Sequence, residues 1–314
     1  MYKFDNNATV CFFGDSITHG GTWHTRVFDY YKRNYRDTKL KFFNCGRGGG
    51  NATKGIRRME EDVLPHNPTD VVIMFGMNDL GQHLYKIDRL TEEILTERIK
   101  MMNLYEESMT TIVNRLSEKG IRIILCTPTP RDEDQLTEEP YWPAARYALE
   151  WQGRFVKKLA EKFGAEVVDF YSEMTEMIYR LREENLHNNI INPDRVHPNQ
   201  LGNEVMARIF LRAQGFDLDL PQNIAYWEKQ ADEPYLPEVQ KKQEIETLLR
   251  AMCFVRWSVL SETPEEKWDE ELAKVYNDPD DSDFSIYRKN SIKIWYDNID
   301  KKQELEKQLL KCME

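Results

Sequence analysis

Val10-Cys11-Phe12-Phe13-Gly14-Asp15-Ser16-Ile17-Thr18 is the stretch that decides the fold. An apolar, β-branched and aromatic run stops abruptly at a glycine, an acid and a serine. That is how a buried strand delivers a hydroxyl to the rim of a sheet. The run itself spans residues 8–13, and four others resemble it, at 40–43, 71–75, 121–126 and 166–170. Between them lie longer segments with helical periodicity, at 23–35, 53–64, 91–118 and 144–163, followed by 172–182 and 200–214. Strands alternating with helices predict βαβ units and a parallel sheet covered on both faces. In such a sheet the ligand crevice lies beyond the carboxyl ends of the strands. The loops 14–16, 44–50, 76–79 and 127–130 all leave strands at that end, so one rim collects them.

The pattern changes after Phe216. Pro221, Pro234 and Pro237 punctuate a linker-like stretch, and helical segments follow at 238–255, 265–276 and 297–311 with no strand among them. Phe254, Trp257, Leu260, Trp268 and Trp295 give this part a core of its own. The expected organisation is an α/β domain over residues 1–216 and a helical extension over 217–314. No repeat of 20–50 residues appears, which argues against a solenoid. An amphipathic tail of this kind is a candidate for contacts between copies of the chain, that is, a homo-oligomer. Residues 129–142 are acidic, bounded by prolines and longer than a usual connection, the character of a lid or binding loop.

Of the 314 residues, 40% are hydrophobic and 31% charged, enough for a core and too many apolar groups for general disorder. The balance of 43 Lys and Arg against 54 Asp and Glu gives −11. That excludes a nucleic-acid binder relying on a basic footprint and disfavours strongly anionic substrates. No apolar run approaches the roughly 20 residues of a membrane span, and the first residues lack a signal-peptide core. A cytoplasmic location is the simplest expectation, or a secreted one if a leader has been removed. Cys11, Cys45, Cys126, Cys253 and Cys312 are scattered, with no CxxC and no Cys/His cluster. Neither a disulfide framework nor a metal site is indicated, and no cofactor is expected.

Ser16 needs a base, since a free hydroxyl is a poor nucleophile. His197 is the candidate, in Asn192-Pro193-Asp194-Arg195-Val196-His197-Pro198-Asn199. Asp194, three residues earlier, can bend back to the imidazole and fix its tautomer. An oxyanion needs N–H donors, and the Ser16 amide is one. The glycine loop Asn44-Cys45-Gly46-Arg47-Gly48-Gly49-Gly50-Asn51 and the Asn78 amide of Gly76-Met77-Asn78-Asp79 are two more sources.

Gly14-Asp15-Ser16, the glycine loop, Gly76-Met77-Asn78-Asp79 and Asp194-Arg195-Val196-His197 together resemble, in order, the four blocks of the SGNH (GDSL-type) hydrolases. The resemblance covers about the first 215 residues. It implies a flavodoxin-like three-layer sandwich with a five-stranded parallel sheet in order 2-1-3-4-5. It implies ester hydrolysis without a metal, by a triad of Ser16, His197 and Asp194, with an oxyanion hole of Ser16, Gly49 and Asn78. The three adjacent glycines leave Gly50 as an alternative to Gly49.

The expected function is a serine esterase acting on a small-molecule ester, with a short acyl group such as acetyl on a carbohydrate or another polar alcohol. A lysophospholipase or thioesterase is the alternative of the same class, and a binding or scaffold protein on a hydrolase fold the alternative of another. Asp15, Trp23, Tyr85 and Trp142 lie in or near rim loops and are candidates for substrate contact, although Asp15 also suits a helix cap and each aromatic also suits the core. Asp79 suits an Asx-turn. His19 and His24 lack metal-ligand spacing. A dinucleotide site is excluded because the position that GxGxxG needs is Asn51.

Overall fold

The structure, a computed structural model, describes residues 3–87, 89–139, 141, 142, 144–219, 223–280 and 282–314, excepting the side chains of Asp283 and Phe284. Its first half alternates as the sequence predicts. The strands are β1 (Thr9–Gly14), β2 (Lys41–Gly46), β3 (Asp70–Met74), β4 (Arg122–Cys126) and β5 (Glu166–Val168). They form one parallel sheet in order β2-β1-β3-β4-β5. The helices are α1 (Ser16–His19), α2 (Thr22–Asn34), α3 (Ala52–Arg58), α4 (Glu92–Glu118), α5 (Ala145–Phe163), α6 (Phe170–Glu184), α7 (Gln200–Ala213) and α8 (Ile224–Ala231).

Strand β1 shows why the sheet is buried on both sides. Phe12 meets Trp23, His24, Phe42 and Phe210, while the next residue, Phe13, meets Phe75 and the Arg58 guanidinium. Successive side chains of a strand point to opposite faces, so an unbroken apolar run needs a packed layer on each. Helices α2 and α7 pack together, as do α3 with α4 and α4 with α5. Strand β5 stops at Val168, earlier than expected, because the Asp169 carboxylate accepts from the Ser172 N–H and starts α6. The helix expected over 53–64 is α3 followed by a π-helical turn, Met59–Val63, and a 3₁₀ turn that ends before Asn67.

The chain divides into two compact units, at Tyr235 and Leu236. Helix α8 falls in the first unit. Trp227 is buried there beneath the Arg208 guanidinium, and Gln200 and Arg26 donate to the Ala231 carbonyl. A tryptophan anchor and two hydrogen-bonding side chains thus hold α8 against the sheet unit, although the prolines and polar residues beyond Phe216 read as a linker; Pro221 lies outside the described residues.

The second unit comprises α9 (Pro237–Ser258), α10 (Trp268–Tyr276), α11 (Asp283–Asn298) and α12 (Lys302–Met313). Met252, Val255, Leu260, Leu272, Ile292 and Trp295 form its core. Lys242 and Glu246 are buried within it as an ion pair at 2.8 Å. Helix α11 was not legible as a helix, since its apolar residues follow no single stripe. Among the described residues no helix is long and apolar enough to cross a membrane.

Candidate active site

The nucleophile-like serine stands on a single helical turn seated directly on the strand ends. Asp15 caps α1, its carboxylate accepting from the Ile17 N–H at 3.0 Å. The turn fits because Gly14 and Gly46 pair across β1 and β2 and carry no side chain. A Cβ on Gly46 would lie 2.3 Å from the His19 nitrogen, and one on Gly14 would lie 2.4 Å from the Thr18 hydroxyl. Glycine is required there for close approach, and that approach fixes the height of Ser16 above the sheet.

His197 comes to Ser16 from the far end of the α/β unit. Its loop is closed by an antiparallel bridge between Ile191 and Pro198, with Asn192 N–H donating to the His197 carbonyl at 2.7 Å. Asn199 then caps α7. Asp194 Oδ1 accepts from the Val196 and His197 backbone N–H groups, both at 2.9 Å. Its Oδ2 accepts from His197 Nδ1 at 2.6 Å. An ionised carboxylate only accepts, so Nδ1 carries the proton and Nε2 is left as acceptor for the Ser16 hydroxyl, 2.8 Å away.

The electrostatics agree. The hydrogen bond that Nδ1 donates to Asp194 raises the His197 pKa above the ordinary histidine value; burial opposes it, and the charges of Asp194 and Asp15 assist. Burial pushes Asp194 upward, but its bonds from the His197 ring and two N–H groups outweigh that and hold it down at about 2. A hydroxyl on a neutral imidazole whose other nitrogen faces a carboxylate can give up its proton to the ring and attack a carbonyl.

Three N–H groups are candidate oxyanion donors. The Ser16 N–H is the first of its turn and, among the described residues, donates to nothing. The glycine loop turns back at Arg47–Gly50, where the Gly50 N–H donates to the Arg47 carbonyl at 3.0 Å and Gly49 sits at φ +66°. Gly50 is therefore spent on the turn, whereas the exposed Gly49 N–H has no acceptor among the described residues. That favours Gly49 over Gly50 as a donor to a ligand. The Asn78 side chain donates one amide hydrogen to the Gly50 carbonyl at 2.9 Å and accepts from Gln82 at 3.3 Å. This pins the amide and leaves its second N–H for the crevice.

Two buried carboxyl groups support these loops. Asp79 accepts from the Ala52 N–H at 2.8 Å, tying the Asn78 loop to the start of α3, while its second oxygen is buried without a hydrogen bond. Burial, partly offset by the Ala52 N–H and reinforced by Asp15, pushes Asp79 up to about 7. Burial likewise lifts Asp15 to about 6, against the Ile17 N–H and the charges of His197 and Arg58.

The candidates for substrate contact fare differently. Trp23 is wholly buried, its ring against Phe12, Phe170 and Phe210. It is a core residue and reaches no substrate; a rim-proximal position in sequence falls on the inward face of α2. Asp15 is buried as the cap described above. Tyr85 and Trp142 are nearly buried in one cluster with Met77, Leu80, Leu149 and Val196. Their faces are taken by the guanidinium groups of Arg98 at 3.9 Å and Arg131 at 3.7 Å, so neither ring is an open stacking platform. His24 stacks on Phe12 in the core, and His19 bonds the Gly46 carbonyl. Among the described residues no cluster of His, Cys, Asp and Glu could hold a metal.

The expected lid, 129–142, is anchored over residues 129–133, which are buried, while Pro140 lies outside the described residues. Much of that anchoring comes from Arg195, whose backbone sits at φ +66°. Its position between Asp194 and His197 was visible, but a charged loop residue reads as solvated, and only the fold shows this one to be buried.

The GDSL-like lipase/acylhydrolase family matches residues 12–205. The acetylxylan esterase of Geobacillus stearothermophilus is 26% identical over 230 residues, 68% of this chain and 97% of that protein. Its solved structures include forms described as catalytic mutants, with a serine, a histidine or an aspartate replaced by alanine; the serine form superposes with a TM-score of 0.56 over 69% of this chain and 98% of its own. A gut microbial diltiazem-metabolizing enzyme superposes over 100% of this chain and 96% of its own, with a TM-score of 0.79 at 17% identity, a likeness of fold.

Proposed function

The chain belongs to the GDSL-like lipase/acylhydrolase family and is a carboxylic ester hydrolase, and from that premise we propose a Ser-His-Asp mechanism on short acyl esters of a carbohydrate or similar polar alcohol. Ser16 attacks the ester carbonyl as His197 Nε2 takes its proton. The oxyanion rests on the Ser16 and Gly49 N–H groups and the Asn78 amide. His197, held by Asp194, returns the proton to the departing alcohol. The same imidazole then deprotonates water, which releases the acid and frees Ser16. The observation that carries this reading is the unbroken relay from Ser16 Oγ to His197 at 2.8 Å and from His197 to Asp194 at 2.6 Å.

The acetyl and carbohydrate parts of the reading draw support from the acetylxylan esterase that the chain resembles over nearly all of that enzyme. The rival is a longer-chain acyl group, as in a lysophospholipase or thioesterase. Contacts between copies of the chain are assigned to the second unit, whose Ile286, Tyr296 and Leu310 are exposed.

The test pairs a fluorophosphonate probe with turnover of acetyl and octanoyl p-nitrophenyl esters and of acetylated xylo-oligosaccharides. The probe attaches at Ser16, acetyl esters outpace octanoyl ones, and Ser16→Ala lowers kcat by about 10⁴–10⁶. Turnover surviving in Ser16→Ala overturns the nucleophile; faster octanoyl turnover overturns the short acyl group.

A further inference from the structure

We infer that Arg195 is a positioning residue, a clamp that joins the His197 loop to the 131–139 loop so that the two hold the base as one body. The inference rests on the serine-esterase reading and goes past it, since Arg195 belongs to neither the relay nor the oxyanion donors.

The backbone is the first observation. Arg195 is one of three non-glycine residues at positive φ among the described residues. That region strains a residue that carries a Cβ and costs glycine nothing. The conformation is imposed by the tight turn in which the Arg195 N–H donates to the Asn192 carbonyl at 2.9 Å. A glycine would make the turn without strain, so the side chain has to offset the cost.

The guanidinium does so. It is buried and makes five hydrogen bonds to main-chain carbonyls of one loop. Nη1 donates to Asp132, Glu133 and Gln135 at 3.2, 2.8 and 3.0 Å. Nη2 donates to Thr137 at 3.4 Å and Nε to Glu139 at 3.1 Å. The loop curls around a planar cation whose donors are fixed in a fork, a geometry that lysine's single ammonium does not reproduce. In return the Asp132 N–H donates to the Arg195 carbonyl at 2.9 Å.

Further ties run the same way. Gln135 donates to the Ile191 carbonyl at 3.0 Å, Thr137 to Pro193 at 3.1 Å and Arg131 to Asp194 at 3.4 Å. The loop is fastened to the rest of its unit by the bidentate Arg182–Asp132 pair. The two residues flanking the clamp, Asp194 and Val196, place the carboxylate of the relay and one wall of the Trp142 cluster. A shift of 1 Å in such a group costs on the order of 10²-fold in rate.

The experiment compares Arg195→Gly, Arg195→Ala and Arg195→Lys with the wild type, all in the full chain. Wild-type turnover of p-nitrophenyl acetate and labelling of Ser16 come first; their absence condemns the esterase reading and not the clamp. Arg195→Gly removes the guanidinium and relieves the backbone together. It is expected to keep its circular dichroism spectrum, lose about 10–100-fold in kcat with KM changed less, and exchange amide hydrogens faster across 131–139. Its acid limb is expected to move to lower pH, as His197 loses its fixed bond to Asp194 while Asp15 still faces it. Arg195→Lys recovers only part of the rate. If Arg195→Gly does not fold, Arg195→Lys decides alone, by a lower kcat and faster exchange. Wild-type kcat and exchange in whichever variant folds overturn the clamp, as does a fully active Arg195→Gly beside an impaired Arg195→Ala, which shows that only the turn mattered.

Discussion

His197 is where geometry becomes a rate. Its base form is the neutral imidazole, and Asp194 raises the pKa through which that form appears. The acid limb of kcat/KM therefore turns over above pH ~6.5, the ordinary histidine value. A profile measured with p-nitrophenyl acetate from pH 5 to 9 checks this, and an inflection below pH ~6.5 contradicts it. Asp194→Asn should move the limb down and cost up to about 10⁴ in kcat, because the amide no longer selects the reactive tautomer. The linked stabilities run in opposite directions. The raised His197 pKa contributes stability that is full below pH ~6.5 and fades as pH rises through the folded value. The depressed Asp194 pKa contributes stability above pH ~4 that is lost on acidifying toward about 2. Both side chains are more than two-fifths exposed, so solvent screens these contributions and the kinetic limb is the sharper readout.

The element scale shows what a sequence discloses and what it withholds. Strands, long helices and the ligand-bearing rim were legible because each rests on local periodicity and on the rule that a parallel sheet gathers its loops at one end. The four-residue α1 was not, having too few positions for a period, although its cap Asp15 and its serine were both singled out. That Trp23 lies in the core and not at the rim is not legible there, because periodicity gives a stripe and not the direction in which the stripe faces. The burial of Arg195 is not legible in the sequence, because burial of a charge is decided by partners remote in sequence, here residues 132–139. The seat of α1 can be tested directly. Gly46→Ala forces a methyl against the His19 nitrogen, 2.3 Å from its ideal position. A destabilisation of about 1–3 kcal/mol is expected from that overpacking. Because the displaced element carries Ser16, turnover should fall by tenfold or more, up to about 10². Thermal melts and p-nitrophenyl acetate turnover read the two effects. Gly153→Ala serves as the contrast: its methyl meets nothing nearer than 3.7 Å within α5, so melting temperature should hold or rise and activity persist. Equal damage in both variants would mean that the tight seat of α1 is not what matters.

At the scale of the whole molecule, the chemistry and the tail occupy different compact units. The sheet and Ser16, Gly49, Asn78, Asp194, Arg195 and His197 all lie before Leu236, while residues 236–314 have their own core and their own buried Lys242–Glu246 pair. The acetylxylan esterase is matched over 97% of its length by 68% of this chain. A chain ending at Tyr235 keeps α8 and its Trp227 anchor; one ending at Phe216 loses them and strips cover from a buried tryptophan site. The expectation is therefore asymmetric. Residues 1–235 should fold, label at Ser16 and turn over p-nitrophenyl acetate within about threefold of the full chain, whereas residues 1–216 should melt lower or precipitate. If the tail joins copies of the chain, sedimentation at micromolar concentration shows the full chain as an oligomer and residues 1–235 as a monomer. A shortened chain that folds but does not label would mean that the second unit completes the active site, and the division of labour between the units would have to be abandoned.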